Sequence, residues 1–167
     1  MTAPAPRPAT LDLNLPNEAV TAALAAVLAA RAVPGDVLAL FGDLGAGKTA
    51  FARAFINALS HPEAHRPEEV PSPTFTLVQV YERAPAPVWH FDLYRLERPE
   101  DAYELGLEEA LGQAILLIEW PERLGPLLPA ARLEVRLSFA ESAGARRARL
   151  VAIGPWAERL EGLAAHV

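Results

Sequence analysis

The stretch LALFGDLGAGKTAFARAF, residues 38–55, joins an apolar segment to an amphipathic one through a glycine-rich turn. The run DVLALF (36–41) is nearly all apolar and is typical of a strand buried on both faces of a sheet. After the turn, Phe51 and Phe55 recur at helical spacing, which predicts a helix over residues 48–59. A strand, a glycine turn and a helix in this order indicate an α/β fold.

The turn itself satisfies the pattern G-x-x-x-x-G-K-[ST], which cradles phosphate groups. Glycines let the backbone approach phosphate oxygens, and the following helix turns its positive end towards the same anion. We expect Lys48 to neutralise the β- and γ-phosphates of a nucleotide and the Thr49 hydroxyl to ligate Mg²⁺. A glycine turn with a surface lysine is the alternative, which the flanking strand and helix disfavour. The residues predicted to contact the nucleotide here are Asp43, Leu44, Gly45, Ala46, Gly47, Lys48, Thr49 and Ala50.

The composition is that of an ordinary globular protein. The chain has 167 residues, 51% of them hydrophobic and 22% charged, which suits one domain with a sizeable core. We expect residues 1–9 to be a disordered tail and residues 10–167 to form a single domain. Cysteine is absent, which fits a reducing cytosol and excludes thiolate zinc. No run of 18 apolar residues exists, so we predict a cytoplasmic protein without a membrane span.

The charge balance bears on possible partners. A net charge of −6 disfavours non-specific binding to nucleic acid, which needs a basic surface. The longest basic cluster, Arg146, Arg147 and Arg149, is interpreted as a solvated strand face, with a docking patch as the alternative. No guanine-reading N-K-x-D segment occurs, so ATP is favoured over GTP by that absence alone.

The rest of the chain alternates strands with helices and hairpins. We predict a strand over residues 10–15, a helix capped by Asn17 over residues 18–32, and a helical region interrupted by Gly106. A closing helix is predicted over residues 155–167. Further strands are predicted over 75–83, 88–96, 114–120, 132–139 and 146–153, the last two as a hairpin at the sheet edge. Together these elements predict a three-layer P-loop NTPase-like α/β domain with a mixed, partly parallel central sheet.

Two predicted strands end in an acid that could serve the metal. Glu119 closes a uniformly apolar run, so we expect it to be partnered and favour a metal or water role over a helix-start carboxylate. Asp92 shares a strand face with His90 and Tyr94, which suggests a polar surface turned towards a cleft. A salt bridge from Asp92 to Arg95 is the alternative.

Two other features remain ambiguous in the sequence. Trp120 directly follows Glu119 and is either a core aromatic or a functional one. His61 and His65 have H-x-x-x-H spacing, but they lie on a proline-containing loop, which argues against a zinc site.

Three segments downstream of GDLGAGKT complete a recognisable series: PSPTFTL (71–77), HFDLYRLE (90–97) and IEWPERL (118–124). The four motifs, in this order, resemble the TsaE (YjeE) family over roughly residues 10 to 140. The resemblance implies a small bacterial P-loop ATPase, needed to form threonylcarbamoyladenosine (t6A37) in ANN-reading tRNAs. It also implies TsaB- and TsaD-like partners, of which TsaD carries the transfer chemistry, so contact with tRNA would be indirect.

The same resemblance implies roles for matched residues. Thr49 and Glu119 would ligate Mg²⁺, Lys48 would hold the phosphates of ATP, and Asp92 would support the metal or the attacking water.

Other matched residues concern the surroundings of the nucleotide. Ser72 and Thr74 would belong to a switch-like loop near the γ-phosphate, and Trp120 would lie beside the nucleotide. Many members read GKTT, whereas here Ala50 follows Thr49. A hydroxyl contact to the α-phosphate would then be missing, although the amide of residue 50 could still serve.

The leading hypothesis is a Mg²⁺-dependent ATPase that is slow alone, because no arginine is clearly placed as a finger. Arg95 and Arg123 are the nearest candidates by sequence. The alternatives are a nucleotide-gated binding module without required turnover, and a small-molecule kinase, for which we find no convincing lid segment. Residues 15–18, at the first strand-helix turn, could reach the nucleotide base.

Overall fold

The structure is a computed structural model that describes residues 7–63 and 66–163. Its strands are β1 (Ala9–Leu15), β2 (Val37–Phe41), β3 (Val78–Tyr81), β4 (Val88–Asp92), β5 (Ile115–Glu119), β6 (Arg132–Phe139) and β7 (Arg146–Ile153). Its α-helices are α1 (Glu18–Ala29), α2 (Lys48–Ala58), α3 (Leu107–Ala110) and α4 (Trp156–Glu161). Two 3₁₀ segments span Pro99–Leu105 and Pro121–Leu127.

The seven strands form one mixed sheet in the order β1-β7-β6-β2-β5-β4-β3. The four central strands β6, β2, β5 and β4 run parallel to one another, whereas β7 pairs antiparallel with β6, β1 antiparallel with β7, and β3 antiparallel with β4. The predicted mixed, partly parallel sheet is therefore confirmed. The parallel pairing brings the carboxyl ends of β2, β5 and β4 to one edge of the sheet, which is where ligands bind in open α/β sheets.

The core has two parts because β2 and β5 are buried on both faces. Alternate residues such as Leu117 and Leu116 face opposite sides of the sheet and belong to different clusters. The first cluster lies under α1, α2 and α4, whereas the second lies under α3 and the 3₁₀ segments. The three predicted layers are present, but the second face carries short helical turns that cover only the β2, β5 and β4 part of the sheet.

Helix α1 begins where the sequence predicts. The Asn17 side chain accepts a hydrogen bond from the Val20 amide at 3.0 Å, which satisfies one of the free donors of the first turn. The helix ends at Ala29, three residues earlier than predicted, because Arg31 and Ala32 donate instead to carbonyls three positions back.

The prediction for the C-terminal hairpin was partly wrong. Strands β6 and β7 form the antiparallel hairpin, but neither lies at the sheet edge, because β6 pairs with β2 and β7 pairs with β1. The edge strand on this side of the sheet is β1, whose alternate residues Thr10, Asp12 and Asn14 are exposed. Residues Ala148, Leu150 and Ala152 of β7 are buried in the first core cluster.

Other boundaries also differ from the predictions, among them the end of β4, which is Asp92 rather than residue 96. Strand β3 begins only at Val78, because residues 74–77 form a turn in which the Leu77 amide donates to the Pro73 carbonyl at 2.7 Å. Strand β1 begins at Ala9, inside the predicted tail, of which residues 1–6 lie outside the described residues. The end of the predicted closing helix, residues 164–167, also lies outside them.

Two further observations concern helices. Gly106, with φ +90°, separates the segment Pro99–Leu105 from α3, as the sequence predicts. In the described parts of the chain, no helix is long and apolar enough to cross a membrane.

Candidate nucleotide site

The glycine turn connects the end of β2 to the start of α2. Gly42, Gly45 and Gly47 all have positive φ values, which favour glycine. A Cβ on Gly42 would lie 2.7 Å from the carbonyl oxygen of Leu137. Backbone rather than a flexible side chain occupies that space, so the loop can pass β6 only with glycine at this position.

Lys48 is folded back onto this loop. Its ammonium group donates to the carbonyl of Gly42 and, at 3.0 Å, to the carbonyl of Asp43. The side chain is only 5% exposed, and its Nζ lies 4.1 Å from the ring centroid of Trp120. Burial lowers the pKa of Lys48 from its ordinary value, and the nearby carboxylate of Glu119 opposes that shift.

The carboxylate of Glu119 joins α2 to two strands. Thr49 donates from its hydroxyl to Glu119 Oε1 at 2.9 Å. The other oxygen, Oε2, lies 2.6 Å from Nε2 of the fully buried His90. The expectation that a buried Glu119 would be partnered is thus confirmed. The pairing of β4 with β5 places Asp92 directly opposite Glu119, so both acids lie at the same edge.

Asp92 ties a loop to the end of β4. One carboxylate oxygen accepts a hydrogen bond from the Ser72 hydroxyl, and the other accepts from the Tyr94 amide at 3.1 Å. The alternative partner, Arg95, lies elsewhere: its guanidinium covers the ring of Phe75 at 4.6 Å. The segment PSPTFTL is therefore joined to Asp92 through Ser72, and Arg95 contacts the same segment at Phe75 instead of Asp92.

Trp120 lies between the second core cluster and the candidate site. Part of its surface packs against the second core cluster. Its ring also contacts the Lys48 ammonium and lies 5.0 Å from the ring of Tyr94. The residue has a left-handed backbone with φ +56°, which turns the chain sharply after Glu119.

These side chains enclose a cavity of about 310 Å³. Of the predicted nucleotide contacts, two do not line it: Asp43 contributes its carbonyl to Lys48, and Ala46 is buried behind the loop. The lining residues are Leu44, Gly45, Gly47, Lys48, Thr49, Ala50, Ser72, Thr74, Asp92, Tyr94, Glu119 and Trp120.

A second cavity, of about 400 Å³, lies on the other side of the glycine loop. The two cavities share Gly45, Gly47 and Ala50. Pro16, Asn17 and Glu18, from the turn that the sequence suggests could reach a nucleotide base, line the second one, whereas Leu15 is buried in the core. The remaining lining residues are Thr21, Ala143, Gly144 and Arg146.

Two residues of the site were not singled out from the sequence. His90 was noted only for its strand face, and its contact with Glu119 depends on the pairing of β4 with β5. Arg146 was assigned to a solvated strand face, yet its guanidinium donates to the carbonyls of Gly45 and Ala46. The alternation along β7 separates it from its exposed neighbours Arg147 and Arg149, but no local signal predicts those contacts.

The histidine pair lies apart from the site. His65 is outside the described residues, and His61 Nδ1 accepts from the Glu63 amide at 2.9 Å. Across residues 7–63 and 66–163, no group of three histidine, aspartate or glutamate side chains is placed to hold a metal ion. A metal in the candidate site would therefore depend on the Thr49 hydroxyl, one carboxylate and the oxygens of a bound phosphate.

Comparison with known proteins shows the family of this chain. The family model described as "Threonylcarbamoyl adenosine biosynthesis protein TsaE" matches residues 15–148. The chain belongs to the TsaE family. All four motifs of the sequence lie inside the matched region.

Individual TsaE proteins match over most of their length. The "tRNA threonylcarbamoyladenosine biosynthesis protein TsaE" of Rickettsia felis is 45% identical over 129 residues, covering 77% of this chain and 73% of the relative. The protein of the same name from Bacillus subtilis is 41% identical over 125 residues, covering 74% and 75%. The crystal structure of Bacillus subtilis YdiB superposes with a TM-score of 0.78 at 34% identity, covering 97% of this chain and 99% of that one.

Proposed function

We propose that this TsaE-family chain is a Mg²⁺-dependent, ATP-binding and ATP-hydrolysing accessory protein of tRNA threonylcarbamoyladenosine biosynthesis. It acts in the cytoplasm on a complex of TsaB- and TsaD-like proteins, as one ATPase domain over residues 10–167. One observation carries the proposal: the Thr49–Glu119 contact at 2.9 Å lies beside Lys48, in a cavity bordered by the glycine loop. The glycine loop, the Lys48 ammonium group and the carboxylates of Asp92 and Glu119 all border this cavity.

The two cavities suggest how a nucleotide would lie. The first holds the ionisable side chains and would take the β- and γ-phosphates. The second is lined mainly by small and uncharged residues and would take the nucleoside. The glycines they share leave room for the α-phosphate to pass over the loop, as the phosphate-binding pattern requires.

The side chains present fit a magnesium ion. Mg²⁺ prefers hard oxygen ligands and is commonly bound by few protein groups together with substrate phosphates. Thr49 Oγ1 and Glu119 Oε1 are two such oxygens already in contact. When bound, the ion supplies positive charge that neutralises the phosphoryl oxygens during hydrolysis.

The protein side chains have distinct tasks in the proposed hydrolysis. The Lys48 ammonium group moves from the carbonyls of Gly42 and Asp43 to the phosphates. The buried ammonium group thereby gains an anionic partner, which offsets the free-energy cost of its burial. Asp92, which faces the same cavity, orients the attacking water and accepts its proton.

Slow turnover by the isolated chain follows from the arginine positions. Arg123 lies 5.9 Å from the ring centroid of Tyr94, and Arg95 covers Phe75. Within the described residues neither arginine lines the cavity. A partner protein therefore completes the site or triggers product release. The acidic net charge also favours indirect contact with tRNA, through those partners.

The test is steady-state ATP turnover by the purified chain, with and without the TsaB–TsaD pair from the same source. We expect stimulation by the pair, and we expect Lys48→Ala and Glu119→Gln each to lower turnover at least a hundredfold. Glu104→Ala, an exposed acid on the segment Pro99–Leu105, is the matched control and should behave as wild type. Unchanged turnover with and without partners would contradict the assignment of the partner complex.

A nucleotide-gated binding module is the second candidate. It is favoured by the bent-back Lys48 and by the Ser72–Asp92 contact, both of which can differ between nucleotide-bound and free states. Glu119→Gln separates the two candidates in cells lacking the native protein. Survival without turnover would show that binding alone suffices.

A further inference from the structure

Arg146 is the first residue of β7, yet it contacts the glycine loop a hundred positions earlier in the chain. Its Nε donates to the carbonyl of Ala46 at 3.2 Å, and one terminal nitrogen donates to the carbonyl of Gly45 at 3.1 Å. The other terminal nitrogen donates to the carbonyl of Ala145 at 2.9 Å. The guanidinium plane also lies over the ring of Phe139 at 4.6 Å, so the orientation of the guanidinium group is fixed by this ring as well as by the hydrogen bonds.

These contacts determine how two peptide units of the loop are oriented. In a planar trans peptide, the carbonyl and the following N–H point in opposite directions. The unit between Gly45 and Ala46 is bound at both ends, since the Ala46 amide donates to the Asp43 carbonyl at 3.0 Å. The unit between Ala46 and Gly47 has its carbonyl on Arg146, so its N–H, which belongs to Gly47, points away from the arginine.

Arg146 itself stands outside the phosphate cavity. Gly45 and Gly47 line that cavity, whereas Arg146 lines only the second one. A glycine-rich loop loses more conformational entropy on ordering than any other segment of its length. A contact that orders the loop in the free protein removes this entropy cost from the binding of the anion.

We propose that Arg146 is a positioning residue for the phosphate-binding loop, and that it acts through its two carbonyl contacts rather than through its charge. The inference rests on the proposed function, because it concerns how the same loop binds a nucleotide. Arginine suits the role because its planar guanidinium group carries donors on separate nitrogens, which reach the two carbonyls in a fixed geometry. The donors of a lysine all lie on one nitrogen.

The test compares binding of ADP and of adenosine to the full chain by calorimetry, in the presence of Mg²⁺. We expect Arg146→Ala to weaken ADP about tenfold, as the loss of charge-assisted hydrogen bonds implies. Because Arg146 also lines the cavity assigned to the nucleoside, adenosine binding should weaken as well, but clearly less than ADP binding does. Arg146→Lys should weaken ADP nearly as much, although it keeps the charge. Arg147→Ala, the exposed neighbour on β7, is the matched control and should bind ADP as wild type does.

A second readout needs no nucleotide. Backbone ¹⁵N order parameters of Ala46 and Gly47 in the free protein should fall in both Arg146 variants and not in Arg147→Ala.

Several results would overturn the inference. Full ADP affinity in Arg146→Lys would show that the charge alone matters. Full ADP affinity in Arg146→Ala would show that the contacts of Arg146 with the loop do not contribute to ADP binding. An equal loss for adenosine and ADP would place the effect outside the phosphate loop. Failure of the wild-type chain to bind ADP at all would instead contradict the proposed function.

Discussion

At the scale of single residues, His90 decides how Glu119 presents its carboxylate. An Nε2–H donor at 2.6 Å holds Oε2, which leaves Oε1 directed towards Thr49 and α2. Groups that orient a metal-binding side chain in this way commonly change metal affinity ten- to a hundredfold when removed. Within the described residues the other ring nitrogen, Nδ1, has no hydrogen-bond partner, so the ring is oriented by Glu119 and by packing.

Replacing His90 by leucine is expected to raise the Mg²⁺ concentration needed for half-maximal ATP turnover about tenfold, because Glu119 loses its orienting donor. His90→Gln should stay near wild type, since an amide nitrogen can take the place of Nε2–H. Magnesium titrations at saturating ATP measure the difference, and thermal unfolding checks the fold of each variant. An identical Mg²⁺ requirement in all three proteins would refute the orienting role.

At the scale of elements, the segment between α2 and β3 is fastened to its surroundings at separate points. Arg53 of α2 donates to the carbonyl of Val70 at 3.2 Å, and Ser72 donates to Asp92 on β4. The Asp92 amide in turn donates to the Leu77 carbonyl at 3.0 Å. Between the last two contacts lies Phe75, 83% exposed, at the tip of the turn.

Ser72→Ala removes the hydrogen bond that joins the start of this segment to the Asp92 side chain of the candidate site. Loss of one such hydrogen bond, at about 1 kcal/mol, corresponds to a roughly fivefold increase in local opening. Hydrogen exchange of the Thr74 and Leu77 amides should accelerate by that factor. Ser138→Ala, on the exposed face of β6, should leave it unchanged. Equal protection in both variants would show that the turn is held by its backbone alone.

At the scale of the whole molecule, α4 is tied to the opposite end of the sheet from the site. Both terminal nitrogens of Arg159 contact the nearly buried Asp36 carboxylate, at 2.7 and 2.8 Å. The same guanidinium donates to the carbonyl of Arg31 at 2.9 Å and covers Trp156. The turn after α1, the start of β2 and α4 are thereby joined.

Arg159→Ala is expected to lower the free energy of unfolding by about 2 kcal/mol, because it leaves Asp36 largely buried without its cation. Arg149→Ala is a matched control: its contact with Asp12 spans 3.9 Å between two exposed side chains, so the change should be negligible. Urea unfolding followed by circular dichroism gives both values. Equal urea midpoints for Arg159→Ala and the wild-type protein would contradict a stabilising role of the Arg159–Asp36 ion pair.

Features that depend on neighbouring residues could be predicted from short stretches of the chain. Positive φ at the glycines of the loop, the cap at Asn17 and the break at Gly106 follow from short-range steric and hydrogen-bonding rules. The buried character of β2 and β5 and the family likewise follow from contiguous patterns. The expectation that Glu119 lies at a strand end and has partners belongs here as well.

Contacts between residues far apart in the chain could not be predicted in this way. The contacts of Glu119 with His90 and of Arg146 with the glycine loop depend on strand order and register. Edge and interior positions differ in their neighbours rather than in their local pattern, which is why the β6–β7 hairpin was misplaced. Strand pairing over long separations is selected by burial of the whole sheet, and no short segment of the chain contains that information.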